Sequence, residues 1–521
     1  MKLMKRYLPA IASVLLMYIV LCIIYPHYQY YIDPDGTAYL TISHRYAVGD
    51  YITAINGYWS PWSCWLTALV IKAGFADIPA SVIVNALGAS GFLLVSQSFF
   101  LKFNIISKLQ WTLCVTLSLF LCYAVFWQSF DDLWECFFLL FILRIMVQDG
   151  FKNKPALWIS CGVLGALAYF AKAYSFPFFI LNTICCTWFI SKDNKKQWLK
   201  ICAVAISVML LCSLPWICLL HNKYGIWTTS TAGRLNMSWY LVGHPHWKPG
   251  IDALIPPAYK DSPYYWEDPY IANGITPHFW DSWHLLGLQV LKAGYNVVKF
   301  LLGIVQLSVL FPVIGGIAVL SLMDKFGLFG GKAKLLIISC LLFPLVYVLI
   351  NFESRYLWYL QPVGMVLGAL LIQSSAEGSW KKFIVIIFPL TFLIYPAWRM
   401  RKMYDEGKQD YKIAQELKKN NIKGTFTSRM HEGVELQQME RIAYFSGNPL
   451  YIQRQPYISD KDLFTDMCRY KVNYFLICDN SSYSFELIQG NLLNKNGVVM
   501  SGIYKEIPGV SGGVKVFTVN P

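Results

Sequence analysis

The chain has 521 residues, of which 56% are hydrophobic and only 14% are charged. A soluble globular protein carries about 25% charged residues, so the composition excludes that class and indicates a protein of the lipid bilayer. The formal net charge is +14. The lysines lie in short connections between apolar segments, where they set membrane topology, and nucleic acid is not an expected partner.

The first segment, KLMKRYLPAIASVLLMYIVLCIIYP, begins with basic residues as a signal peptide does. Its apolar run is longer than the usual signal-peptide core of about 7–15 residues, and no small-residue cleavage site follows it. It therefore predicts an uncleaved first membrane helix. With it, about eleven apolar segments approach the length of about 20 residues that a membrane helix needs. They lie near 8–26, 78–100, 109–127, 132–147, 156–173, 174–190, 198–220, 296–322, 335–351, 355–374 and 382–398.

Lysine and arginine clusters fall on every second connection between these segments. Because cytoplasmic loops carry an excess of basic residues, this pattern predicts an N-terminus inside and a C-terminal segment outside. The exception is a basic run directly after the last span, at Arg399, Arg401 and Lys402. Six clusters outweigh it: Lys2/Lys5/Arg6, Lys102/Lys108, Lys152/Lys154, Lys192/Lys195/Lys196/Lys200, Lys325/Lys332/Lys334 and Lys381/Lys382.

The predicted fold class is a polytopic α-helical membrane protein with a small C-terminal α/β soluble domain. Residues 1–400 form the membrane part, with outer loops at 27–77 and 221–284, and residues 405–521 form the outer domain. Short helices are expected at 36–49 and 61–74, the latter along the membrane interface. In the C-terminal part, DYKIAQELKKNNIKG predicts an amphipathic helix, and KVNYFLICDN and SGGVKVFTVN predict strands. A disulfide between Cys468 and Cys478 stays open.

Two aspartates, Asp33 and Asp35, follow the first helix in IDPDGTAYL. Carboxylates at this spacing bind a divalent cation, or one acts as a general base while the other tunes its pKa. The alternative is a helix cap, because Asp before GTAYL is a normal N-cap. Asp131 and Asp132 stand at the next outer turn, again either as caps or as site residues.

Ionisable residues within the predicted spans are energetically expensive and usually face a partner or an aqueous cavity. Glu135 and Arg144 are of this kind. Lys172, in AYFAKAYSFPFF, lies at an outer helix end, where either it extends to the headgroups or it serves a site. Arg355 in NFESRYLWYLQP is also outer, with Glu353 as a candidate ion-pair partner. The outer-loop histidines are interpreted as surface residues, not as metal ligands: His244, His246, His278 and His284.

Several stretches resemble the GT-C class of membrane glycosyltransferases, which includes protein O-mannosyltransferases, the lipid A aminoarabinose transferase and the bacterial RgtA/B/C/D-like group. DGTAYLTISHRYAVGDY resembles the first outer loop of the class, in which Asp-Glu is followed by Tyr four residues after the Asp. Asp35 and Tyr39 match this spacing, but Gly36 replaces the Glu, so a second acid falls back on Asp33.

Three further stretches carry the same resemblance. GYWSPWSCWLTALVIKAG is similar to the next helix of that loop, and ESRYLWYLQPVG is similar to the Arg-Tyr-Leu segment of the class. GALAYFAKAYSFPFF resembles the Thr-Lys-Gly segment, with Ala171 in place of Thr and Lys172 kept. The likeness covers about 400 residues and rests on the order of the segments.

The resemblance implies a sugar transferase of the bacterial inner membrane that uses a polyprenyl-phosphate sugar as donor, with inversion. Glycan, lipid or protein is the implied acceptor. The implied base is Asp35, with Asp33 as its support or as a ligand of a divalent cation. The implied substrate-binding residues are Lys172, Arg355, Tyr39, Asp132 and Tyr356. The alternatives are a lipid-linked glycan transporter or flippase and a non-catalytic protein of envelope polysaccharide assembly.

Overall fold

The structure is a computed structural model that describes most of the chain. The described residues are 2–127, 130–242, 253–271, 277–323, 329–375, 378–430, 434–453, 458–478, 485–488, 491–494, 499–500, 503–507, 510 and 513–520. Two of the histidines interpreted as surface residues, His244 and His246, lie outside the described residues.

A bundle of apolar helices forms the first four-fifths of the chain. Within the described ranges, seven helices are long and apolar enough to cross a membrane, and several shorter apolar helices pack among them. The helices up to the large loop are α1 (Lys2–Tyr28), α2 (Pro34–Val48), α3 (Tyr51–Ala54), α4 (Pro61–Lys72), α5 (Asp77–Lys102), α6 (Ser107–Phe126), α7 (Phe130–Met146), α8 (Pro155–Ala171), α9 (Ser175–Ile190), α10 (Lys195–Tyr224) and α11 (Ala232–Val242).

The helices after this loop complete the bundle. They are α12 (Trp283–Leu307), α13 (Phe311–Leu322), α14 (Gly331–Leu342), α15 (Leu345–Ile350), α16 (Leu360–Ser374), α17 (Ser379–Leu390) and α18 (Ile394–Met403). The long helices pack as neighbours, α1 against α6 and α8 against α10. Large side chains such as Phe92, Trp158 and Tyr359 are fully buried between them.

The predicted span 296–322 is two helices in the structure. Ser308 is extended, with φ −166° and ψ 136°, and its hydroxyl accepts the Leu310 amide at 3.2 Å. Proline in the first turn of α13 then starts a new helix. The first of the two helices begins much earlier than predicted, at Trp283, because Ser282 caps it by accepting the Leu285 amide at 3.2 Å.

The predicted helices at 36–49 and 61–74 are confirmed as α2 and α4. Asp33 caps α2: its Oδ1 accepts the Gly36 amide at 2.6 Å, and Pro34 supplies the first helical residue. The helix ends at Gly49, whose φ of 89° is a left-handed conformation that glycine adopts without strain. These two ends fix α2 as a rigid element directly after α1.

The C-terminal part combines helices with short strands. Its elements are α19 (Lys408–Lys419), β2 (Phe426–Ser428), α20 (Val434–Ser446), β3 (Ile452–Gln453), α21 (Asp460–Arg469), β4 (Tyr474–Cys478), β5 (Phe485–Ile488), β6 (Asn491–Asn494), β7 (Val499–Met500), β8 (Ile503–Glu506) and β9 (Val514–Asn520), and β1 (Leu254–Ile255) precedes them in the large loop. The main sheet has the order β2-β4-β9-β8, with β2 and β4 parallel. Both predicted strands are therefore confirmed, as β4 and β9, and they pair with each other antiparallel.

The C-terminal part packs closely against the rest of the chain. Strand β1 pairs antiparallel with β3, so the large loop and the C-terminal part share a two-stranded sheet. At Gly407, with φ 81°, an added Cβ would lie 2.2 Å from the Tyr30 carbonyl oxygen. Cys468 and Cys478 are both free thiols in the structure.

Candidate active site

Side chains from distant parts of the chain line one cavity of about 340 Å³ at the end of the bundle that carries α2. We call it the aromatic cavity. Its walls hold all the sequence-predicted site residues except Asp33. The acid, base and ring side chains lining it are Asp35, Tyr39, Tyr58, Trp59, Asp131, Asp132, Lys172, Tyr174, Trp266, Tyr347, Glu353, Arg355 and Tyr356.

Asp35 lies in the first turn of α2 and is held by two donors. Arg355 Nη2 lies 2.8 Å from its Oδ2, and the indole Nε1 of Trp266 lies 3.2 Å from its Oδ1. Arg355 itself comes from the turn that precedes α16, and its side chain is only 11% exposed. A carboxylate with both oxygens engaged by N–H groups is held in a fixed orientation.

Arg355 also lies near two other carboxylates. Its Nε is 2.9 Å from Glu353 Oε2 and 3.7 Å from Asp132 Oδ2. The surrounding negative charge offsets the cost of burying the guanidinium, although burial itself disfavours the charged form. Arg355 therefore links the acid of the first loop to that of α7.

Lys172 follows α8 directly and forms an ion pair with Asp132. The two side chains are 20% and 3% exposed. The ammonium also lies 4.2 Å from the centroid of the Tyr356 ring, which stacks on Tyr347 at 4.1 Å. Because the lysine is held by a carboxylate and an aromatic face, it points into the aromatic cavity instead of extending along the helix surface.

Three further ionisable residues singled out in the sequence make other contacts. Asp131 Oδ1 accepts the Ser63 hydroxyl at 2.5 Å, and Tyr39 interacts with the same carboxylate. Glu135 accepts from Ser175 Oγ at 2.8 Å. Arg144 does not join the cavity, since its Nε donates to the Ser98 carbonyl at 3.1 Å.

Asp33 has a different environment from Asp35. Burial, followed by the nearby negative charge of Asp35, raises the pKa of Asp33 to about 7. Its carboxylate also caps α2, so the cap alternative holds for this residue. Asp33 does not line the aromatic cavity; it faces a second one.

The second cavity, of about 530 Å³, is lined mainly by charged groups, and we call it the charged cavity. Its lining residues are Tyr31, Asp33, Pro34, Asp35, Trp127, Glu353, Arg355, Arg399, Lys402, Met403, Glu406, Gln437 and Arg441. Asp35, Glu353 and Arg355 line both cavities. These three side chains therefore form the wall between the two spaces.

Sequence patterns do not point to Trp266 or to the residues that support it. Arg45, in α2, is 5% exposed and forms a buried ion pair with Glu267, the residue after Trp266. It also contacts Asp261 Oδ1 at 3.0 Å. This network holds the large loop so that Trp266 reaches Asp35. The sequence WED places this tryptophan beside two acids, which could have marked it as a candidate. Nothing in the sequence indicated that Trp266 contacts Asp35.

The two aspartates after α1 do not fit a metal site. Both oxygens of Asp35 accept N–H donors, and Asp33 Oδ1 accepts the Gly36 amide, so positive or donor groups already take the place of a cation. Within the described part of the chain, no group of three or more His, Cys, Asp or Glu side chains is arranged to hold a metal ion.

No protein family model matches the chain, and no curated protein matches its sequence. Among solved structures, ArnT from Cupriavidus metallidurans bound to undecaprenyl phosphate matches with a TM-score of 0.56 and 10% identity, over 99% of this chain and 99% of that one. The apo state of the same ArnT matches with a TM-score of 0.53 and 10% identity, over 98% of this chain and 99% of that one. The likeness extends over membrane helices and C-terminal part alike, so the chain shares the fold of ArnT, and the predicted fold class of a polytopic helical membrane protein with a small C-terminal α/β part is confirmed.

Proposed function

We propose, from the fold that this chain shares with the GT-C glycosyltransferases, that it transfers a sugar from a polyprenyl-phosphate donor to an acceptor hydroxyl. One observation carries the proposal. Asp35, Lys172 and Arg355, which lie in three distant segments, converge on one cavity. A transporter needs charges along its path, but it does not need a fixed carboxylate beside two cations at one point.

In this proposal the donor phosphate binds in the aromatic cavity between Lys172 and Arg355. Cations at this place stabilise the charge that develops on the leaving phosphate. The acceptor oxygen forms a bond to the anomeric carbon while the bond from that carbon to the phosphate oxygen breaks. The electron pair leaves with the polyprenyl phosphate, and the acceptor proton passes to Asp35. The course is inverting, on the outer face of a bacterial inner membrane.

Donor binding and base activation are coupled in this scheme. Arg355 holds Asp35 at 2.8 Å, so a phosphate that draws the guanidinium away also frees a carboxylate oxygen. The base is then available only when the donor is present.

The test is the substitution Asp35→Asn in purified full-length protein supplied with a panel of radiolabelled polyprenyl-phosphate sugars. Asn keeps the shape but removes the base, so transfer should fall about 10²- to 10⁴-fold. The matched control is Asp281→Asn, at an exposed turn where the carboxylate accepts the His278 amide at 2.8 Å. Wild-type transfer by the Asp35 variant would overturn the base assignment, and movement of lipid-linked sugar without product would favour a transporter.

A further inference from the structure

The charged cavity contains two cations that the catalytic scheme does not use. Arg399 and Lys402 lie on α18, and within the described residues no carboxylate lies within ion-pair distance of either. The other two cations of this cavity are engaged: Arg355 by Asp35, and Arg441 Nε by Asp410 Oδ2 at 2.6 Å. The lining thus has uncommitted positive charge at one side.

The same cavity is lined by the proposed base. Asp35, Asp33 and Glu353 are among its lining residues. The pKa of Asp33 is raised to about 7 by burial, so this residue carries only part of a negative charge at neutral pH. The cavity therefore holds Asp35 together with two cations that have no carboxylate partner among the described residues.

Ring contacts orient both cations. The Arg399 guanidinium carbon lies 4.1 Å from the ring centroid of Trp127, and Nζ of the exposed Lys402 lies 4.2 Å from that of Trp398. The Tyr28 hydroxyl donates to the Met400 carbonyl at 2.9 Å, which fixes α18 against α1. Among the described residues, the buried Arg399 Nε has no hydrogen-bond partner.

These cations also stand where the positive-inside pattern does not predict them. Basic residues directly after a last span belong on the cytoplasmic side, yet Arg399 and Lys402 share a cavity with the acids of the first loop. The departure of Arg399 and Lys402 from the topological rule is therefore consistent with a role in binding a ligand in this cavity.

We infer that the charged cavity binds the acceptor, and that this acceptor is a saccharide bearing an anionic group held by Arg399 and Lys402. The inference rests on the proposed function, because Asp35 must reach the acceptor hydroxyl. The ring of Tyr31 offers an apolar face to a sugar, and Gln437 and Glu353 offer polar groups to its hydroxyls. A volume of about 530 Å³ suits a small saccharide and not a folded partner.

The experiment measures binding and needs no knowledge of the donor. Glucose, glucose 6-phosphate and glucuronate are titrated by calorimetry into purified full-length protein in neutral detergent. Both anionic sugars should bind at least about tenfold more tightly than glucose, as expected for charge-assisted contacts. The double variant Arg399→Gln/Lys402→Gln should lose this preference. The matched control is Arg401→Gln, an exposed residue on the same helix that does not line the cavity, and it should keep the preference.

Equal binding of glucose and the anionic sugars by the wild-type protein would overturn the inference, as would equal loss in the Arg401 variant. Competition by vesicles of phosphatidylglycerol that displaces glucose 6-phosphate would assign the cations to a lipid headgroup and also overturn it. Failure here is distinct from failure of the proposed function. Loss of transfer in Asp35→Asn is expected whether or not the acceptor is anionic, and the anion preference is measured in the wild-type protein without any transfer.

Discussion

Arg355 Nη2 and Asp35 Oδ2 lie 2.8 Å apart although 320 positions separate the two residues in the chain. The contact joins the first loop to the turn before α16, and it closes the wall between the aromatic cavity and the charged cavity. Both residues of this pair line both cavities. In the proposed scheme, donor and acceptor would therefore meet at this ion pair.

Replacement of Arg355 tests its part in stabilising the leaving phosphate. Arg355→Met should lower kcat for transfer about 10²- to 10³-fold, the usual cost of removing one preorganised donor. Arg355→Lys keeps the charge but loses the planar guanidinium, so its kcat should lie between those of the wild-type protein and Arg355→Met. Arg401→Met is the control. An unchanged kcat in Arg355→Met would remove this residue from the site.

Lys172 is expected to bind the donor phosphate. Lys172→Met should weaken binding of undecaprenyl phosphate by about 10- to 150-fold, because a charge-assisted contact of about 1.5–3 kcal/mol is lost. Asp132→Asn leaves the ammonium in place and should weaken binding less. Fluorescence titration with a labelled polyprenyl phosphate measures both. Equal affinity in wild-type protein and Lys172→Met would show that the lysine serves only its pair with Asp132.

The pair of Arg45 and Glu267 should contribute to stability by holding the large loop that carries Trp266. Arg45→Met leaves the Glu267 carboxylate, which is 1% exposed, without its guanidinium, and the loss should be about 3–5 kcal/mol. Arg45→Met/Glu267→Gln should recover part of it. Thermal unfolding in detergent measures the effect. Asp50→Asn, at a 38% exposed partner of Arg45, should cost far less.

The raised pKa of Asp33 should make the stability of the protein depend on pH. Its pKa is raised from 3.8 to about 7, so the folded protein holds a proton that the unfolded chain has lost between these values. Stability from this group therefore rises as pH falls below about 7 and is smallest above it. Asp33→Asn is neutral at all pH and still caps α2. When the pH is raised from 5 to 8, the melting temperature of the wild-type protein should fall more than that of Asp33→Asn. Equal falls in the two proteins would contradict the raised pKa.

The long apolar helices could be predicted from their length and hydrophobicity. The prediction of one helix at 296–322 was wrong in two ways. Hydropathy does not reveal that the Ser308 hydroxyl bonds to the backbone and interrupts the helix, or that the first helix begins after Ser282, in a polar stretch. Short helices α2 and α4 were predictable because proline and glycine mark their ends. Both strands β4 and β9 were predicted as strands from the sequence. Their pairing with each other could not be predicted.

The site was predictable only in part. Asp35, Lys172 and Arg355 each stand at a helix end, and the alternation of basic connections placed these ends on one side, so their approach could be expected. Trp266 could not, because its position depends on Arg45 and Glu267, which lie 222 positions apart with no periodic signal between them. The role of the Arg399 run was also hidden, since the charge pattern alone presents it as an exception.

Gly407 leaves no room for a side chain, because an added Cβ would lie 2.2 Å from the Tyr30 carbonyl oxygen and 3.3 Å from Arg441 Cδ. Its φ of 81° is also strained for any other residue. A larger residue at this position would therefore displace the chain around Tyr30 or Arg441, and Arg441 lines the charged cavity. A change at one glycine outside both cavities would thus alter the shape of the charged cavity before it unfolded the protein.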